Sequence, residues 1–173
     1  MKYKFVALVF VLVCFSCGKV KPVDVAITNT VQDSINATQK ITNGIGVLLS
    51  EDARLKVADW KEYQKVASLM TELYNTSKSD VLENAELYAD EIKFLRDSIR
   101  IDVLDNPKII SRINILLNQS LRLKDMHSIP SISNAAVKVE VVKLCASFSS
   151  LNSRINTTYA TLAAKKDLKE LGF

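Results

Sequence analysis

The sequence predicts an all-α fold: an antiparallel bundle of four to five helices with a long C-terminal helix. Three observations lead there. Apolar residues recur at spacings of three and four across nearly everything after residue 24, the period of a half-buried helix. Only four Gly and three Pro occur in 173 residues, too few for the many tight turns of an all-β chain. The breaks between periodic stretches are short, which favours antiparallel neighbours.

The first predicted helix runs from about Asp24 to Leu49. Val31, Ile35, Thr38, Thr42, Ile45 and Leu49 form its stripe, and the opposite face is rich in Thr, Ser, Asn and Gln. Gly44 and Gly46 weaken its end, each by about 1 kcal/mol relative to Ala. A second helix starts at Asp52 or Asp59 and runs to Thr76, burying Leu55, Trp60, Tyr63, Val66, Met70, Leu73 and Tyr74. Ser77-Lys-Ser-Asp80 breaks the pattern, and Asp80 with Glu83 reads as an N-cap pair.

The third helix spans about Val81 to Arg100, with Leu82, Ala85, Tyr88, Ile92, Leu95 and Ile99 inward. Its acids lie early and its bases late, as the helix dipole favours. Asn106 caps the fourth helix and Pro107 suits its first turn, since Pro has no N–H to leave unpaired. That helix runs to about Met126 on a face of Ile109, Ile110, Ile113, Leu116, Leu117, Leu121 and Leu123. After a loop at His127–Ser133, the last helix extends from about Asn134 to Leu171. At 1.5 Å per residue it approaches about 55 Å. Either it bends, or its lysine-rich end (Lys165, Lys166, Lys169) passes beyond the bundle.

The N-terminus carries a different signal. Lys2 and Lys4 precede an apolar run from Phe5 to Phe15, followed by Ser16 and Cys17. The run is about half the roughly twenty residues a membrane span needs, so a cleaved export signal is expected. These residues resemble a bacterial lipoprotein signal peptide of the loose kind found in Bacteroidota. Ser16 fits the small position before the Cys; Cys14 and Phe15 depart from the strict motif.

The resemblance implies a signal peptide at 1–16, cleavage, and acylation of Cys17 with fatty chains such as palmitate. It also implies an outer-membrane lipid anchor, the protein facing the periplasm. Residues 17–23 are then a short linker reaching about 20 Å at about 3.3 Å per residue, and 24–173 form the helical domain. Lys19 and Lys21 lie in the linker, within reach of anionic head groups. Two triplets, Asp33-Ser34-Ile35 and Asp97-Ser98-Ile99, are similar to the Asp-Ser/Thr-apolar sites where some Bacteroidota attach O-glycans.

The formal charge of +4 includes the signal. Without Lys2 and Lys4, 21 basic face 19 acidic side chains, which disfavours nucleic acid as a partner. Of three Cys, only Cys145 remains after the signal and the acylation site, so no internal disulfide is expected. It sits in an apolar pattern and reads as a small buried hydrophobe. One His, His127, with no nearby Cys makes a poor metal site.

No Gly-rich phosphate loop and no Gly-x-Ser-x-Gly elbow occurs. Glu83, Glu86 and Asp90 read as a solvated acidic ridge, and Trp60, Tyr63 and Tyr74 as core. The expectation is therefore no enzyme, no cofactor, no metal and no catalytic residue. It is a membrane-anchored envelope lipoprotein whose bundle binds another, unknown protein or supports an envelope assembly. A small-ligand binder with a pocket near Trp60 and Tyr88 is the alternative.

Overall fold

A computed structural model describes residues 39–172. The predicted signal peptide, Cys17, the linker and residues 24–38 of the first expected helix lie outside the described residues. In chain order the elements are β1 (Lys40–Thr42), α1 (Glu51–Lys56), α2 (Lys61–Glu72), β2 (Asn75–Ser77), α3 (Lys78–Glu83), α4 (Ala85–Asp97), α5 (Pro107–His127) and α6 (Asn134–Glu170). The fold is all-α, with a small two-stranded ribbon at one end.

Four long helices, α2, α4, α5 and α6, make the bundle. Cross-helix bonds set their directions. Trp60 at the start of α2 meets Ser98 at the end of α4. Glu86 early in α4 pairs with Lys124 late in α5. Arg122 late in α5 pairs with Glu140 early in α6. Each neighbour is therefore antiparallel, as short connections require. One continuous core runs between them, including Val66, Met70, Ile92, Leu95, Ile113, Leu116, Leu144 and Leu151.

The helix starts follow local chemistry. Asn106 accepts from the backbone N–H of Lys108 and Ile109, and Pro107 takes the first turn. Ser133 accepts from Ala136 N to open α6. Ser77 and Asp80 form a reciprocal capping box for α3, with bonds of 3.2 and 3.3 Å. The expected Asp80–Glu83 pair is thus displaced by one turn: Asp80 is the third residue of the helix, not its cap, and Glu83 accepts from the Ser79 hydroxyl.

Three expected helices are corrected. In the described part of the first, residues 39–49, there is a strand and an extended strap, not a helix. β1 pairs antiparallel with β2, Ile41 opposite Thr76, and Ile41 is buried. The polar, glycine-bearing segment finds better partners in β2 and α6 than in its own backbone. The second helix splits at 57–60 and ends at Glu72, because residues 75–77 are recruited as β2.

The third splits at Asn84, whose side-chain amide donates to Asp80 O and terminates α3, while its carbonyl accepts from Tyr88 N to begin α4. It also ends at Asp97 rather than Arg100. The last helix is as long as expected. Its packed part ends at Tyr159, and every residue from 160 to 172 is exposed, so the lysine-rich end does pass beyond the bundle. Among the described residues no helix is long and apolar enough to cross a membrane.

Candidate functional site

Two polar constructions on α6 organise this body, and sequence reading singled out neither. The first is a clamp for the strap, residues 43–50. Asn152 and Asn156 lie one turn apart. The Asn152 amide donates to Val47 O at 2.8 Å, and its carbonyl oxygen accepts from the Tyr63 hydroxyl at 2.7 Å. The Asn156 amide donates to Leu48 O, and its oxygen accepts from Ser50 N, both at 2.9 Å. The Ser149 hydroxyl accepts from Val47 N. Strap backbone groups that a helix would satisfy internally are satisfied here by side chains.

Gly46 permits the approach, since a Cβ there would collide with the Ser149 side chain. At the far end Asn43 donates from its backbone to Tyr74 O and from its side chain to Leu73 O. A signal for the clamp existed. Asn152 lies four residues after Phe148 and three before Ile155, on the buried stripe where an amide needs partners.

The second construction is Glu140, 3% exposed between Val137 and Val141. Arg122 grips its carboxylate with two bonds of 2.9 and 3.1 Å, and Lys143 adds one of 2.7 Å. The Arg122 hydrogen bond holds the carboxyl below the ordinary glutamate range, against burial. An acidic residue on an apolar stripe, with an arginine on the preceding helix, was the available sign.

Trp60 and Tyr63 are buried, with ring centroids 5.7 Å apart, and Tyr63 stacks on Phe148 at 5.9 Å. Burial drives the Tyr63 hydroxyl above its ordinary pKa and pushes that of Tyr88 up to about 12. Tyr74 packs half-buried against the core. Trp60 also borders an open groove of about 500 Å³ with Lys56, Ser98, Arg100 and Ile101. Tyr88 is not on that wall, so the structure separates the two aromatics of the expected pocket.

Glu83, Glu86 and Asp90 are exposed, as is His127. Among the described residues no group of three His, Cys, Asp or Glu could hold a metal ion. Cys145 is the expected buried thiol, its pKa pushed up to about 11 by burial. Ser98 is half-buried. Its hydroxyl accepts from the Trp60 indole at 3.1 Å and donates to Leu95 O at 3.2 Å, so a glycan there would remove the proton given to Leu95 O and would have to fit beside the indole. Asp33-Ser34-Ile35 lies outside the described residues.

The outer face of α6 is apolar and small. Val139 is 51% and Val142 45% exposed, and they follow helical spacing to exposed Ala146. Ala146 forms a ridge between two shallow grooves, of about 490 and 300 Å³. Comparison with protein-family models, curated proteins and solved structures finds no match to this chain.

Proposed function

We propose that the protein is a lipid-anchored component of a bacterial cell envelope, a non-catalytic helical bundle that binds another protein or supports an envelope assembly. The observation that carries this is the N-terminal segment, with two lysines, a short apolar run and Ser16 before Cys17. Acyl chains on Cys17 would hold the body at the outer membrane on its periplasmic side; two or more chains anchor stably where one does not. The exposed Val139–Val142–Ala146 face of α6 supports the binding part, since apolar side chains aligned on a helix suit protein contact.

The test is intact mass of the protein isolated from membranes. Loss of residues 1–16 with added acyl mass is expected; an unmodified, freely soluble chain overturns the anchor. Pull-down from solubilised envelopes should then recover a stoichiometric partner that Val142→Lys loses. Repeated recovery of the monomer alone defeats the binding role. The small-ligand alternative is supported by the groove beside Trp60, without the contribution of Tyr88.

A further inference from the structure

The groove between the start of α5 and residues 154–165 of α6 has the chemistry of a binding site. It is an open groove of about 480 Å³. Val103, Pro107 and Leu162 give it apolar walls, and Lys108, Arg154 and Lys165 give it three cations. No carboxylate lines it, and the loop acids nearest in sequence, Asp102 and Asp105, are exposed. Among the described residues, none of the three cations has a carboxylate partner, although Arg54, Arg96, Arg122, Lys124 and Lys143 all do.

Arg154 is half-buried on the groove wall, its Nε covered and without a hydrogen-bond partner, so its charge meets little competition from the protein's own acceptors. Thr157, Thr158 and Thr161 direct their hydroxyl protons to carbonyls one turn back, which leaves the cations as the free side-chain donors on α6. The α5 N-terminus is not the attraction, because Asn106 already caps it.

We propose that this groove binds a small anionic amphiphile, a phosphate or carboxylate on an apolar stem. The anion would meet Arg154 with Lys108 and Lys165, and the stem would lie on Val103, Pro107 and Leu162. The site requires neither lipidation nor a protein partner, so its test and the test of the envelope role fail independently. Such a group could belong to a free metabolite or to a lipid head group.

The probe is hexyl phosphate, titrated into the protein as isolated from its cells. The protein is held in zwitterionic nanodiscs or, if it carries no acyl chain, in plain buffer. Saturable NMR shifts are expected at the Arg154 Nε–H and at the Thr158 and Leu162 amides. Arg154→Gln and Lys165→Gln should each weaken binding at least about fivefold, with the fold checked by circular dichroism. Lys166→Gln, off the groove, should leave it unchanged.

Hexanol and inorganic phosphate should each bind at least about fivefold more weakly than hexyl phosphate. Shifts at the same residues in phosphatidylglycerol nanodiscs, without added probe, would support the same chemistry with a bilayer head group as its source. The proposal is overturned if no saturable shift appears, if hexanol or inorganic phosphate binds as well as hexyl phosphate, or if both folded groove variants bind like the parent.

Discussion

The near two-thirds and the far third of α6 are one helix held by two different forces. From Val137 to Tyr159 the sequence is rich in Val, Ser, Asn and Thr, which are indifferent helix formers. That stretch is buried on one side by α5 and the strap, and packing keeps it helical. From Ala160 to Glu170 every side chain is exposed, but apart from Thr161 and Asp167 the residues are Ala, Leu, Lys and Glu, which favour a helix without help. The far third begins on a turn already formed, so it avoids the nucleation cost that makes short isolated helices marginal in water. Tertiary burial and local propensity can each extend a helix, and they leave opposite signatures in composition and exposure.

Substitutions that attack one force and spare the other test this contrast. The largest effect is expected from Leu144→Ala, which empties a fully buried position in the near part. It should lower global stability by about 3 kcal/mol, read by urea denaturation.

Next is Arg122→Leu, which leaves the Glu140 carboxylate buried with Lys143 as its remaining partner. The urea midpoint should fall, and its pH dependence should change. In the parent, the pKa of Glu140 is lowered by folding. The stabilisation is therefore present above the unfolded value, near about 4.3, and is lost as pH falls through the lower folded value. In the variant that acid-dependent loss should be shallower, because the folded pKa moves back up. An unchanged profile between about pH 5 and 3 would mean the ion pair adds nothing there.

Gly46→Ala should act locally. The new Cβ meets Ser149 and lifts the strap, so hydrogen-exchange protection at the Val47 and Ser50 amides should drop about tenfold. Adding Ser149→Gly should recover the protection at Ser50. The smallest global effect belongs to Ala164→Gly in the far third. It should cost about 1 kcal/mol of local helicity while leaving the global midpoint unchanged. A shifted midpoint would show that the tail is coupled to the core after all.

The same division explains which parts of the fold could be read from the residues. The α5 start was legible in Asn106-Pro107, and the length of α6 in its unbroken stripe, because both are written within one or two turns. The strap was not. Thr42, Ile45 and Leu49 keep helical spacing, but β2 and the Asn152–Asn156 amides, about 100 residues further on, take up that backbone instead. Nothing in the sequence around Asn84 marks a helix end; its amide ends α3 by donating to Asp80 O. The groove between α5 and α6 was invisible for the same reason: Lys108 and Arg154 belong to different elements, and only antiparallel packing brings them to one wall.

Periodicity, few breakers and capping residues sufficed for the fold class, the α5 boundary and the full span of α6, because hydrogen bonds between near neighbours and one-sided burial are local properties. The expected lipid address rests likewise on contiguous residues at the N-terminus. The strand in place of a helix at Lys40–Thr42, the clamp on the strap, the buried Glu140 pair and the cationic groove came from packing. Each depends on groups far apart in the chain satisfying one another's charge or hydrogen bonds, and no local pattern specifies which distant group will be there.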